Sequence, residues 1–581
     1  MTNHEHESHE GNMTLNRPFC VSIAIAFLAV TIIIARFTAL NAPENDPTTI
    51  NALFVTSTVA CIGSLFCASI SLRSQRELFP LMLLVSLFAI TMRMIPNLML
   101  AFPPLHDPYY YITSTDNVTE YGVISPRLSD WHLQLDFHLK WPLLAIFSST
   151  LEQTSALDDL FVLRYLSPIL SVAFVTSLFL VAREATGSRN IAAASAIIGS
   201  CIDAATFYQS QYHPQGIALS LFFMSVYALL KIGKATNLSM IVILALLATA
   251  LVMSHHFSSI LVALVGLLVI ALMNISDLVG FWGENPSNQG ANEKGFSIKR
   301  VKTGWGLLIV AGLAYAAFVG IDAIRIFSSL GYLSVPFSAL AAIGSNVPES
   351  VAILGSYKWL LLGLAVPTVI TIKRKDTRMR HVALLLLALL LGIAVFNYII
   401  RGPTDRLIAL GFPLVGILAS TTLFSVIDRA TRSRAKSTIL LLAITLLVVP
   451  TSMSALHPSV PSFYFDDSRV DTYYWYSNDL GSISRYGSSG SWIHEHFDQN
   501  AFFTVEFDTK VIPFYYGHEP ISHVNELTEA DGPFVGVCIM NPSIPYVYHG
   551  ETIDKSAIIA EHGTDCLFDD GELVMFEISS R

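Results

Sequence analysis

Apolar residues run in long blocks along most of this chain, without the period of a soluble helix or strand. Thirteen blocks are long enough to cross a hydrocarbon core of about 30 Å, which takes about 20 apolar residues. They are 18–40, 50–72, 78–101, 160–182, 191–208, 214–231, 238–254, 257–275, 304–327, 350–372, 381–400, 406–427 and 437–455. The long segment 102–159 separates the third block from the fourth. Inside it, 139–151 (LKWPLLAIFSSTL) is too short to span and reads as an interfacial helix. After the last block the pattern changes. A short capped helix is predicted over 488–497, with strands at 501–507, 533–540 and 572–578. The pattern predicts an α-helical polytopic membrane protein of about 13 transmembrane helices with a small C-terminal α/β domain. Residues 1–17 read as a disordered leader, 18–455 as the transmembrane domain and 456–581 as a soluble domain. The first block is too long for a signal peptide, and only Arg17 precedes it, so it reads as an anchor.

Composition sharpens this picture. Of 581 residues, 53% are hydrophobic and 13% charged, against roughly 25% charged in a soluble domain. Such a chain cannot wet the surface of a wholly soluble globule. Charge is uneven: 456–581 holds 20 acids and 5 bases, and the rest holds 24 acids and 29 bases. No basic face suggests nucleic acid; the partner of the body is the lipid bilayer. Loop Lys and Arg set the orientation. With the N-terminus cytoplasmic, inner segments carry 20 bases and outer ones only Arg127, Lys140, Arg401 and Arg406. That places the C-terminal domain outside a cell membrane, where Cys538 and Cys566 are predicted to lie close together, within the ~7 Å between Cα atoms that a disulfide requires. Cys20, Cys61, Cys67 and Cys201 lie in apolar runs and read as small core residues.

Ions inside the spans mark the candidate chemistry. Arg36, Arg93, Arg164, Arg325 and Lys358, with Asp203 and Asp322, all fall in the outer halves of their spans. So do the polar helix ends Tyr212-His213, His255-His256 and Asn397-Tyr398. An intramembrane charge costs at least ~2.5 kcal/mol on insertion scales. For any one of them snorkelling or local pairing, such as Asp322 with Arg325, is the plainer account. Snorkelling cations should appear at both faces, so the bias of the set points to a polar cavity open to the outer side. The densest outer motif is Leu105–Ile112 (LHDPYYYI), with Asp116 and Glu120 beyond it. A carboxylate fixed by proline at a membrane exit suits a general base or a cation ligand; it equally suits a helix cap within an aromatic belt. The second motif is Arg401–Arg406 (RGPTDR), a short outer turn. Two Arg there oppose the positive-inside tendency. A phosphate head group bound by bidentate hydrogen bonds offsets that cost, as does pairing of Arg406 with Asp405.

The layout, with His106 to Tyr111, Tyr212-His213-Pro214, His255-His256-Phe257 and Arg401–Arg406, resembles the GT-C membrane glycosyltransferases. The pattern looks like that of archaeal members such as the dolichol-phosphate-mannose-dependent mannosyltransferases. The resemblance implies a polyprenyl (dolichyl) phosphate sugar donor and a glycan or lipid-linked glycan acceptor. It implies Asp107 as catalytic base, with inversion at the sugar. His106, Tyr109, Tyr110, His213, His255, His256, Arg401, Asp405 and Arg406 would bind substrate, and a divalent cation is a candidate cofactor. Two features depart from the family. Its catalytic acid usually follows the first span, whereas Asp107 follows the third. The WWD motif of oligosaccharyltransferases is missing, since no two of the seven Trp are adjacent; en bloc transfer to Asn is not implied. A transporter or flippase is an alternative, but it should show repeated halves and polar breaks at the midplane. A polymerase or ligase using lipid-diphosphate donors differs only in donor.

Topology is testable directly. An impermeant thiol reagent applied from outside should label Arg485→Cys and spare Gly290→Cys in intact cells. The reverse pattern would invert the orientation and remove the outer-face chemistry.

Overall fold

The computed structural model describes residues 47–70, 75–99, 141–235, 238–279, 297–329, 349–372, 377–395 and 405–430 almost completely. It also describes part of 111–122, seven strands between 502 and 579, and a few single residues. In chain order the helices are α1 (Pro47–Ile70), α2 (Gln75–Met99), α3 (Leu143–Ser155), α4 (Asp159–Thr186) and α5 (Arg189–Ser200). They continue as α6 (Asp203–Ser210), α7 (Pro214–Lys234), α8 (Leu238–Ser254), α9 (His256–Val279) and α10 (Ile298–Ser329). The series ends with α11 (Glu349–Thr371), α12 (Thr377–Val395) and α13 (Asp405–Ala430).

Five helices are long and apolar enough to cross a membrane among the described residues, or six if the bent pair α5–α6 counts as one span. Helices or the bent pair occupy eleven of the thirteen predicted stretches; most of the first and last stretches lies outside the described residues. The predicted interfacial helix is α3, 13 residues long.

The bundle is ordered around α4, which packs on α2, α5 and α7. Its ends are polar and its middle apolar. Near one end Val162, Leu163 and Leu166 join Tyr111 and Tyr212 in a small buried cluster. Near the other, Glu184 pairs with Lys231 of α7 at 2.7 Å and Arg378 of α12 at 3.0 Å. The helix from Leu163 to Glu184 spans about 30 Å, the thickness of a hydrocarbon core. Between them Phe174 meets Phe223 edge-on at 5.5 Å.

Small side chains admit α5 into this bundle. Its sequence RNIAAASAIIGS is buried from Ala192 to Ser200. Ser188 caps it, accepting from the Ile191 amide at 3.3 Å. A Cβ at Gly199 would strike Leu178 of α4, and one at Gly416 of α13 would press on Ile198. Close approach of this kind drives helix association in membranes, where burial of apolar surface drives little.

The run 191–208, predicted as one span, is two helices meeting at 64° across Cys201 and Ile202. A break frees carbonyls that no water can reach. Arg93 of α2, fully buried, answers this. Its Nη1 donates to the Ser200 carbonyl at 3.1 Å and to Ala89 O at 3.2 Å. Its Nε donates to Gln209 Oε1 of α6 at 2.8 Å. The Thr206 hydroxyl also donates to Ser200 O, at 3.2 Å. The guanidinium therefore sits at the negative end of the α5 dipole, 5.9 Å from the Phe174 ring centre.

In the C-terminal segment, five strands form a mixed sheet in the order β2-β1-β3-β7-β6. They are β1 (Phe502–Thr504), β2 (Pro520–Ile521), β3 (Val535–Met540), β6 (Gly563–Asp569) and β7 (Val574–Ser579); β4 (Tyr546–Tyr548) and β5 (Glu551–Ile553) form a hairpin pair. β1 runs parallel to β2 and β3, while β7 runs antiparallel to β3 and β6. Strands β1, β3 and β7 fall on the predicted runs; the predicted helix 488–497 lies outside the described residues. The expected Cys538–Cys566 pairing is corrected here. Both cysteines stand opposite Phe576, on the two strands flanking β7. Two strand spacings separate them by about 10 Å, beyond the ~7 Å reach of a disulfide.

The Arg93 assignment makes a stability prediction. Arg93→Met should lower the unfolding free energy by about 2–4 kcal/mol, since buried carbonyl and amide groups lose a charged partner. Thermal unfolding in detergent measures it. A shift no larger than that of a surface Arg→Met control would remove the clamp.

Candidate functional site

The joint between α6 and α7 gathers polar residues from five chain segments. All eight residues of α6 are buried, including Asp203, whose Oδ1 accepts from the Ala204 amide at 2.8 Å. A carboxylate in the first turn of a helix is electrostatically favoured. After α6 the chain turns through Gln211, Tyr212 and His213 into Pro214, the first residue of α7. Proline at that position forfeits no helical bond. His213 caps the helix: its Nδ1 accepts from the Gln215 amide at 3.0 Å.

That cap orients the imidazole among three rings. Its centre lies 5.2 Å from Tyr111, edge-on, 5.3 Å from Tyr208 and 5.5 Å from His255. Tyr111 ends the YYY run that follows Asp107 and Pro108, and His255 sits between α8 and α9. The neighbouring Tyr212 ring joins Tyr111, Ile112 and Leu144 in the buried cluster. Its hydroxyl shares a hydrogen bond with Thr115 Oγ1 at 2.8 Å and donates to Ser148 Oγ of α3 at 2.7 Å. Thr115 itself donates to Tyr111 O at 3.1 Å. One turn beyond Ser148, the buried Glu152 accepts from Thr119 at 3.4 Å.

Below this layer α2 is tied to α6 and α4. Asn97 Nδ2 donates to Ser210 O at 2.6 Å. Arg164 of α4 donates to the Asn97 carbonyl through Nε at 3.1 Å and also through Nη2. Arg164 lies 5.5 Å from the Tyr165 ring centre. Arg93, fully buried, is thus not a snorkelling cation. Arg93 binds the Ser200 carbonyl at the α5–α6 break and Arg164 the Asn97 carbonyl in the last turn of α2.

Of the sequence-predicted site residues, His213 and His255 are brought together, with Tyr111 beside them. His106, Asp107, Tyr109, Tyr110 and Arg401 lie outside the described residues. His256 begins α9, and Asp405 and Arg406 begin α13; their side chains lie outside those described. So do the side chains of Asp322, Arg325 and Lys358. Among the described residues no three His, Cys, Asp or Glu converge as a metal site. Sequence reasoning passed over Asn97, Thr115, Ser148 and Gln209. They are ordinary polar residues within or beside apolar runs, and nothing local marks them.

No protein-family model matches this chain, and no curated protein matches it. Among solved structures it is similar to an oligosaccharyltransferase of Archaeoglobus fulgidus in complex with zinc and sulfate. The identity is 14% over 76% of this chain and 62% of that one, with a TM-score of 0.45. It is also similar to the oligosaccharyltransferase AglB of that organism in complex with an inhibitory peptide and a dolichol-phosphate. There the identity is 12% over 76% and 64%, with a TM-score of 0.47. A structure tethered to an acceptor peptide gives 12% over 78% and 64%, also at 0.47. The chain spans less than two thirds of the length of these proteins. Similarity at this level assigns neither family nor substrate.

The close approach of α6 to α7 predicts a mutational contrast. A Cβ on Gly216 would meet the Tyr208 carbonyl oxygen at 2.9 Å, whereas one on Gly306 of α10 meets nothing within 4 Å. Gly216→Ala should therefore destabilise by about 1–3 kcal/mol, because backbone cannot yield as a side chain does. Gly306→Ala should be neutral or stabilise by up to about 1 kcal/mol. Equal melting temperatures for the two variants would contradict the packing of the joint.

Proposed function

We propose that this protein is a GT-C-type membrane glycosyltransferase. It transfers a sugar from a polyprenyl (dolichyl) phosphate to a glycan or lipid-linked glycan acceptor on the outer membrane face. One observation carries the reading. Three residues far apart in sequence, Tyr111 near the end of the LHDPYYYI motif, His213 of the Tyr212-His213-Pro214 turn and His255, meet with ring centres 5.2–5.5 Å from that of His213. They meet at one polar end of the bundle, about 30 Å along α4 from the Glu184 ion cluster. The bilayer interface is where a lipid-borne sugar and its acceptor can meet.

Asp107, four residues before Tyr111, takes the proton of the acceptor hydroxyl. The hydroxyl oxygen bonds to the anomeric carbon from the face opposite the phosphate, and the carbon–phosphate oxygen bond breaks with inversion. The leaving polyprenyl phosphate carries away the electron pair, its charge held by Arg401 and Arg406. In a site closed to water these contacts are worth far more than in bulk solvent. His106, Tyr109, Tyr110, His213, His255, His256 and Asp405 line the sugar and head group. No nucleotide is needed, in line with the lack of a Gly-rich nucleotide loop in the sequence.

Purified protein in proteoliposomes should transfer sugar from at least one polyprenyl-phosphate donor. Asp107→Asn should lower that rate by ~10²–10⁴-fold, as for loss of a general base, without altering the melting temperature. Arg401→Ala and Arg406→Ala should raise the donor KM. Arms with lipid-diphosphate donors, peptide acceptors and chelation followed by Mg²⁺, Mn²⁺ or Zn²⁺ define donor, acceptor and cation. Transfer by none of these donors, or full activity in Asp107→Asn, would overturn the assignment.

A further inference from the structure

Tyr212 presents a hydroxyl at a place where its ring alone would fill the space. The residue is fully buried among Tyr111, Ile112, Leu144, Leu163 and Leu166. A Phe there would complete the apolar cluster without the cost of burying a polar atom. The hydroxyl instead bonds two segments at once, at 2.8 Å to Thr115 and 2.7 Å to Ser148. Both partners are themselves buried. Thr115 lies eight residues beyond Asp107, in the helical turns that start at Tyr111, and Ser148 lies on α3. Tyr212 reaches them from the α6–α7 joint, which α2 holds in place through Arg93, Gln209 and Asn97.

We infer that Tyr212 is a positioning residue that straps the acid-bearing outer segment to the α6–α7 joint and to α3. The inference rests on the transfer reaction above for its chemical consequence, not for its geometry. Among the contacts of the described residues in the segment carrying Asp107 are the Tyr111–His213 ring pair, the buried cluster, this hydroxyl chain and the bonds of Thr119 to Glu152 and Gln153. A base must sit within a fraction of an ångström of its working place to keep its rate advantage. Two buried hydrogen bonds on one rigid side chain, to Thr115 and to Ser148, supply such a constraint. The donor lipid is held elsewhere in the reaction scheme, by Arg401 and Arg406. Loss of the strap should therefore slow turnover and leave donor affinity intact.

The test compares Tyr212→Phe with the wild-type full chain in proteoliposomes, at a temperature well below both melting points. Hydrogen–deuterium exchange of amides in 105–119 should quicken by about tenfold or more, since the segment opens when its buried bonds are gone. The kcat for sugar transfer should fall by about tenfold, with the donor KM within about twofold. Thr115→Val and Ser148→Ala should each give part of the effect, and neither should add to Tyr212→Phe, because they cut the same strap. Unchanged exchange in 105–119 overturns the inference. Faster exchange with unchanged kcat overturns the link to catalysis, and a fall confined to KM reassigns Tyr212 to substrate binding. If the wild-type chain transfers no sugar, the glycosyltransferase reading fails by itself. The exchange comparison then still decides whether Tyr212 holds the segment.

Discussion

A helix broken inside a bilayer needs donors for the carbonyls it frees, and water is not there to provide them. In this protein Arg93 supplies them. Its Nη1 donates to Ser200 O, where α5 stops, and its Nε to Gln209 of α6, so one guanidinium spans the break. A charge with no water around it is costly. Here two carbonyls, a side-chain amide oxygen and the Phe174 ring surround it. The bend of 64° follows. It turns α6 across the bundle and delivers Gln211, Tyr212 and His213 to one end of α4 as a buried corner.

What the corner does depends on how closely α6 and α7 approach. Gly216 has no room for a Cβ beside the Tyr208 carbonyl, and the Gln209 amide donates to Gly216 O at 3.4 Å. Proline at the start of α7 and the His213 cap set the direction in which α7 leaves. The capping bond also holds the imidazole in the contacts with Tyr111, Tyr208 and His255. Helix start, ring placement and the meeting of distant motifs are one arrangement.

The opposite end of the bundle is built on another principle. The Glu184 carboxylate pairs with Lys231 and lies 3.0 Å from Arg378, joining the ends of α4, α7 and α12, while its backbone carbonyl accepts from Arg378 at 3.1 Å. Lys231 and Lys234 in the last turn of α7 also complement its dipole. Ion pairs thus close one end and hydroxyl and imidazole contacts the other. The ends differ in chemistry as well as in place, and among the described residues the Tyr212 end gathers residues of motifs that read as substrate-binding.

The sequence alone determined the positions of the helices. In lipid the length of an apolar run is a strong constraint in itself, and the eleven stretches reached by the described residues coincide with helices or the bent pair. It also marked Arg93, Arg164, His213 and His255 as unusual, because a polar group in an apolar run stands out wherever it later points. The break at Cys201–Ile202 was not legible. No proline marks it, and its cause, Arg93, lies 107 residues from Ser200 in the chain. Nor could the sequence tell a snorkelling arginine from one that closes a break, since the two differ only in what surrounds the guanidinium. Thr115 and Ser148 are common residues whose meaning comes from Tyr212, 97 and 64 positions away. Cys538 and Cys566 invited a disulfide on count and compartment, yet strand register placed β7 between them. Local hydrophobicity decides where a segment lies relative to lipid, but hydrogen bonds between distant segments are settled only when packing chooses which ends meet.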